Sequence, residues 1–285
     1  TKFNDDGKIL YGNALVDFLR GYEKAIVALE IIDEAIIKHL PDLKVIGKYG
    51  VGLDTLDLAA LHKNKIKLGW TGGVNKRSVA ELVISSAISL LHKTVFSNSE
   101  VKSGRWYQVK GRQLSNCTVG IIGCGHIGKD VVELLQPYNC KIIVNDIRSF
   151  PEFYKKYNII PSGLDELLSS SDVVTLHTPL DETTRNILNK EKLQLLKKDS
   201  ILINLARGGL IDETELKNMI LEKRIVGAAL DVLEVEPPQD NDLVNLDNIL
   251  VTPHVGGSTN EAILQMGLSA IDGLDNNKDA GEFIT

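Results

Sequence analysis

The sequence predicts an α/β protein built on a doubly wound parallel sheet, accompanied by a second and smaller α/β domain. Three observations predict it. Short apolar runs alternate with stretches long enough for helices, one run leads directly into a glycine-rich turn, and three further runs precede that turn by many residues. The runs fall at residues 24–29, 43–48 and 65–69, then at 118–122, 141–145, 172–177, 200–205, 225–231 and 248–252. Strands that alternate with helices are joined by crossovers, and crossovers make parallel sheets. Between the two groups, residues 75–92 read as one long helix. Asn75 suits its N-cap, and Val79, Leu82, Val83, Ala87, Leu90 and Leu91 form an apolar stripe for core packing. The polar stretch 98–116 carries Gly104 and Gly111, and a crossing between domains is expected near it. No repeat or low-complexity tract is visible.

The 285 residues are 43% hydrophobic and 25% charged, ordinary for a globular protein of about two domains. No apolar run approaches the roughly 18 residues that span a bilayer, and no charged leader precedes an apolar stretch, so a cytoplasmic location is expected. Cys117, Cys124 and Cys140 lack Cys-x-x-Cys spacing and read as small buried apolar residues, not as a disulfide framework or a zinc site. A net charge of −6 with scattered basic residues argues against a nucleic-acid surface. No histidine and carboxylate set has metal-ligand spacing, so no metal is expected.

Val119-Gly120-Ile121-Ile122 runs into Gly123-Cys124-Gly125-His126-Ile127-Gly128 and then an amphipathic segment that ends before Pro137. This is strand, glycine turn, helix. Gly123 permits the tight turn, Gly125 lets backbone approach a pyrophosphate, Gly128 allows close helix packing, and the helix start offers free N–H groups to phosphate oxygens. Such a glycine pattern alone is weak, but the next run ends at Asp146, eighteen residues after Gly128. A carboxylate there accepts hydrogen bonds from ribose hydroxyls and repels a 2′-phosphate. The cofactor is therefore expected to be NAD, with Arg148 two residues on softening the preference over NADP.

In a doubly wound sheet ligands sit outside the carboxyl ends of the strands. Those ends supply the glycine turn, Asp146, His177-Thr178-Pro179, Ala206-Arg207-Gly208-Gly209, Asp231 and Pro253-His254. Thr178 and Pro179 join the expected cofactor-binding set on this ground. Removal of hydride from a secondary alcohol requires a base for the hydroxyl proton, and His254 is the candidate. Glu236 could orient the imidazole, with Glu234 as its rival. Arg207 is placed to grip a substrate carboxylate with two parallel hydrogen bonds. His39, His62 and His92 read as surface or packing residues, and His177 as a buried one with a supporting role as the alternative.

With these motifs in hand, the chain resembles the D-isomer-specific 2-hydroxyacid dehydrogenases, and among them the phosphoglycerate dehydrogenase branch. The matching stretches are Lys48-Tyr49-Gly50-Val51-Gly52-Leu53-Asp54, Gly72-Gly73-Val74-Asn75 with Ser78-Val79-Ala80-Glu81, the glycine turn through Asp146, and Leu176-His177-Thr178-Pro179-Leu180. They continue through Asn204 to Asp212, Ala229 to Pro237 and Thr252 to Thr259, in family order over about residues 24–270.

The resemblance implies a catalytic trio of Arg207, Glu236 and His254, choosing Glu236 over Glu234 because the family's acid directly precedes the proline. It implies substrate contacts from the backbone of Val51 and Gly52, pyrophosphate contacts from His126 and Ile127, and an amide contact from Asp231 to the nicotinamide. Leu205, Ala206, Arg207, His254, Val255, Gly256 and Gly257 would touch the rest of the cofactor. It also implies a Rossmann-type NAD-binding domain over 75–257 inserted in a flavodoxin-like substrate domain, 1–74 with a return over 258–285, and a homodimer formed through the nucleotide domain.

Some positions depart from the branch. Phosphoglycerate-specific members commonly carry an arginine after the strand matching 24–29, where this chain has Leu29-Glu30-Ile31-Ile32, and a glutamate there would repel a phosphate. Thr55 and Gly72 replace the usual asparagine and proline. The opening strand and helix of the substrate domain are expected to be missing or displaced before Gly12, and no C-terminal regulatory domain responsive to serine is expected. Two alternatives follow. One is a reductase of glyoxylate, hydroxypyruvate or a sugar-derived keto acid, for which Glu30 is the discriminating feature. The other, of a different class, is a dinucleotide-sensing protein resembling transcriptional corepressors, which would bind NADH without turnover.

Overall fold

The computed structural model describes residues 1–284 and divides into two compact units, residues 1–75 with 260–285 and residues 76–259. The first unit opens with α1 (Gly12–Leu19), β1 (Lys24–Val27), α2 (Glu34–Ile37), β2 (Val45–Lys48), α3 (Leu58–Lys63) and β3 (Lys67–Gly69). The second holds α4 (Lys76–His92), α5 (Thr94–Lys102), β4 (Thr118–Ile122), α6 (His126–Leu135), β5 (Lys141–Asn145), α7 (Pro151–Tyr157), β6 (Ile160–Pro161), α8 (Leu164–Ser170) and β7 (Val173–Leu176). It continues with α9 (Lys190–Leu193), β8 (Ile201–Asn204), α10 (Glu213–Leu221), β9 (Gly227–Leu230) and β10 (Ile249–Val251). The chain then returns to the first unit with α11 (Asn260–Gly273) and β11 (Lys278–Asp279).

In the second unit seven strands run in the order β10-β9-β8-β7-β4-β5-β6, every neighbouring pair parallel. This is the expected doubly wound sheet, and its order reverses between β4 and β7. Alternate residues face opposite layers: Val119 and Ile121 join the core under α4 and α6, while Ile122 joins the one under α8, α9 and α10. That period-two split explains why these strands are apolar throughout, since both faces are covered.

The first unit has a four-stranded sheet, β1-β2-β3-β11. Its first three strands are parallel as expected, but β11 pairs antiparallel with β3. A strand of two residues leaves no periodic signal, so neither β11 nor β6 was legible. Gly47 and Gly69 face the backbone of α11, where an added Cβ would lie 2.3 Å from the Ala270 carbonyl oxygen and 2.0 Å from that of Gly273. Glycines thus let helix and sheet touch backbone to backbone.

Two local expectations fail. Asn75 directly precedes α4, yet its buried Oδ1 accepts no hydrogen bond among the described residues, so it does not cap the helix. The 98–116 stretch lies wholly inside the second unit, and its first part belongs to α5, none of whose residues is buried. Polar composition made this helix look like a crossing; the crossings occur at 75–76 and 259–260. Among the described residues, no single helix is long and apolar enough to cross a membrane.

Candidate active site

Because all seven strands are parallel, the six polar strand ends lie along one edge of the sheet. Gly123 follows β4 at φ +96 and sits against β7's end: a Cβ there would lie 2.6 Å from the His177 carbonyl oxygen and 3.1 Å from Thr178 Cγ2. Gly128 packs on the turn, since its Cβ would meet the Gly123 carbonyl oxygen at 2.1 Å. At Gly125 an added Cβ meets nothing within 4 Å, and no side chain caps the start of α6. The turn is thus closed on its protein side and open where N–H groups await an anion. The Asp146 carboxylate at the end of β5 clasps this turn: Oδ2 accepts from Cys124 N at 2.6 Å and Oδ1 from Arg148 N at 2.7 Å. Cys117 and Cys124 are buried as expected, whereas Cys140 is only half-buried; burial pushes the Cys124 thiol up to about 11.

Two buried polar atoms beside the turn have no partner among the described residues, His177 Nδ1 and Thr178 Oγ1. Orphaned atoms at the point where strand order reverses suit a polar ligand and fit the dinucleotide site. The other ring nitrogen of His177, Nε2, lies 3.0 Å from Thr175 Oγ1. Burial pushes the His177 imidazole from 6.5 down to about 3, so the ring stays neutral near pH 7. In that window the unfolded chain binds a proton here that the folded chain does not, and stability falls as pH drops. The loss is at most about 1.4 kcal/mol per pH unit. A His177→Gln variant is expected to show a flatter dependence of unfolding free energy on pH between 6 and 4 in urea titrations; an unchanged slope would refute the assignment.

After β8, the side chain of buried Asn204 fastens the next loop, accepting from Ala206 N at 3.1 Å and donating to the Arg207 carbonyl at 2.8 Å. Arg207 Nη1 donates to the Ala206 carbonyl at 2.7 Å. Gly208 is required there, because a Cβ would fall 1.9 Å from the Leu233 carbonyl oxygen.

After β9, buried Asp231 organises the loop that follows β10. Its Oδ1 accepts from Thr252 Oγ1 at 2.5 Å and Val255 N at 2.8 Å, its Oδ2 from Gly256 N at 2.7 Å, and its carbonyl from His254 N at 2.9 Å. His254 occupies the left-handed region at φ +54, a strained conformation for a residue with a Cβ. Its Nδ1 lies 2.8 Å from Glu236 Oε2, and Glu236 Oε1 accepts from Leu233 N at 3.0 Å. Glu234 instead lies 3.9 Å from Arg185. The acid beside the histidine is therefore Glu236. Burial holds the Glu213 carboxyl above its usual range, with Glu234 and Glu236 adding to the effect and the Glu234 N–H opposing it.

Arg207 and His254 stand at the ends of β8 and β10, which flank β9. Two strand spacings, about 10 Å, separate the strands that these residues follow. Asn204 and Thr252 were not singled out from sequence; a polar residue ending an apolar run was the available signal. In the first unit, Val51 and Gly52 follow β2, where the Val51 carbonyl accepts from Trp70 Nε1 at 3.2 Å. His39 and His92 are exposed, and His62 pairs with Asp279. No group of three or more His, Cys, Asp or Glu side chains among the described residues could hold a metal ion.

Comparison with known proteins bears on this geometry. Residues 84–256 match the family described as D-isomer specific 2-hydroxyacid dehydrogenase, NAD binding domain. The chain is 36% identical over 242 residues to a hydroxypyruvate reductase of Thermotoga maritima, covering 83% of this chain and 78% of that protein. It is 38% identical over 230 residues to a D-3-phosphoglycerate dehydrogenase of Methanocaldococcus jannaschii, covering 80% of this chain but only 44% of that longer protein. Among solved structures, D-lactate dehydrogenase from Aquifex aeolicus, complexed with NAD and lactic acid, superposes with a TM-score of 0.82 at 26% identity, covering 92% of this chain and 83% of that one.

Proposed function

This chain belongs to the D-isomer specific 2-hydroxyacid dehydrogenase family, and on that premise we propose that it interconverts a D-2-hydroxy acid and its 2-keto acid, with NAD as cofactor. The observation that carries the reading is the His254–Glu236 pair on the same sheet edge as Arg207 and the glycine turn. Bound NAD supplies or accepts the hydride. Gly123, Gly125, His126, Ile127 and Gly128 hold its pyrophosphate, Asp146 its ribose, and Thr178, Pro179, Asp231 and the 205–207 and 254–257 loops the remainder.

Arg207 grips the substrate carboxylate and polarises the reacting oxygen. Glu236 takes the Nδ1 proton of His254 in a hydrogen bond, which leaves Nε2 to accept the hydroxyl proton in oxidation and return it in reduction. Glu236 also supplies the countercharge for the imidazolium. The N–H groups of Val51 and Gly52 belong to the substrate side of the proposal.

Glu30 favours a substrate without a phosphate. It follows β1 as Val51 and Gly52 follow β2, the adjacent parallel strand, and its Oε2 accepts from Ala28 N at 2.8 Å, which fixes a carboxylate at that sheet edge. Glyoxylate, hydroxypyruvate and similar keto acids fit such an edge better than a phosphorylated acid, as like charges repel. A homodimer through the second unit is part of the same proposal, supported by α5 and the arm after it, where Trp106 is 85% exposed and Tyr107 54%. So is a cytoplasmic location, where the nicotinamide pool is available.

Initial rates over a panel of 2-keto acids, each with NADH and with NADPH, test the reading, alongside the native mass by sedimentation. The expected result is turnover of unphosphorylated acids, higher kcat/KM with NADH, and a mass of two chains. Tight NADH binding with no turnover of any keto acid would favour the corepressor-like alternative instead.

A further inference from the structure

We propose that Ser78 is a positioning residue for His254, holding in place the loop that keeps the imidazole on Glu236; this rests on His254 being the proton carrier. His254 is held at φ +54, a conformation that persists only where its surroundings over-determine it. Most of the restraint comes from Asp231, whose carboxylate takes Val255 N and Gly256 N and whose carbonyl takes His254 N. All of these bonds issue from one strand end. A loop tied to a single residue can still swing about it.

The second anchor comes from another layer. Ser78, in the first turn of α4, donates its hydroxyl hydrogen to the Gly256 carbonyl at 2.5 Å, and both residues are buried. The Gly256 residue is thereby gripped at both polar ends, its N–H by Asp231 and its C=O by Ser78. It is also packed in: an added Cβ would lie 3.0 Å from Asp231 Oδ2 and 3.5 Å from Val79. The first turn of α4 is itself fixed, because neighbouring Arg77 pairs with buried Asp130 of α6, Nε to Oδ2 at 2.9 Å. Ser78 therefore ties the histidine loop to the helix layer that packs beside the glycine turn.

Removing the hydroxyl strands a buried carbonyl, and the loop can satisfy that carbonyl only by moving. The strained His254 backbone is the part with most to gain from relaxation, and relaxing it carries the imidazole off Glu236. The Ser78 hydroxyl bonds to the Gly256 carbonyl, so its influence on the imidazole runs through the 254–256 backbone.

A double-mutant cycle tests this. Ser78→Ala is expected to lower kcat about tenfold in the wild-type background but less than about twofold in a His254→Asn background, because the residue it positions is already gone. Ser78→Thr, which keeps the hydroxyl, is expected to restore most of the rate. Equal losses in both backgrounds, or a wild-type rate in Ser78→Ala, would overturn the proposal. If Ser78→Ala does not fold, as judged by thermal unfolding, Ser78→Cys takes its place in the cycle under the same criteria. The His254→Asn single variant reports separately on the underlying reading: undiminished turnover there removes His254 as proton carrier and Ser78's role with it.

Discussion

Replacing His254 with asparagine is expected to lower kcat by about three orders of magnitude, within the range attributed to a positioned acid–base group, while leaving the Kd for NADH nearly unchanged. Asparagine is the informative replacement because of the backbone. His254 sits at φ +54, and asparagine tolerates the left-handed region better than other side chains with a Cβ, so the loop built on Asp231 should survive. Its amide can still donate to Glu236, but it cannot exchange a proton with a substrate oxygen near pH 7. The loss is therefore one of proton transfer, with cofactor contacts spared. Steady-state rates and NADH fluorescence titration check it; near-normal turnover, or a loss of NADH affinity matching the loss of rate, would count against the assigned role.

Arg207→Lys is expected to reduce kcat/KM about 100-fold, mostly through KM, as suits the loss of a charge-assisted hydrogen bond worth about 1.5–3 kcal/mol. The positive charge remains in this variant, so a role limited to electrostatic attraction would leave KM little changed. The planar fork is lost, and with it the second parallel hydrogen bond to a carboxylate. The loop should keep its shape, because Asn204 holds it through the Ala206 N–H and the Arg207 carbonyl, both backbone groups. Steady-state kinetics with the best keto acid of the panel give the answer, and a wild-type KM would remove Arg207 from carboxylate recognition.

The strands of the second unit were legible because parallel strands buried on both faces are short uninterrupted apolar runs, and the glycine turn because Gly123 and Gly128 each have no room for a Cβ. The residues at strand ends could be nominated by one rule of fold geometry, without coordinates. Other features left no such trace. The α5 helix buries nothing, so no periodicity marks it, and β6 and β11 are too short for alternation to register. Asn75 had the chemistry of a cap but not the hydrogen bond.

Sequence alone determined the chemical inventory of this protein and its order along the chain: a glycine turn, a carboxylate eighteen residues after it, a guanidinium and a histidine, each at the end of an apolar run. Local propensity and patterning act over a few residues, and that is as far as they reach. The resemblance already named Glu236 as the acid, and the structure puts it 2.8 Å from His254 Nδ1; only the tertiary structure decided that Asp231 and Ser78 brace the histidine loop. Asp231 and Ser78 reach Gly256 from a separate strand end and a separate helix, 25 and 178 residues away in the chain, and only the packed sheet brings them within hydrogen-bonding distance.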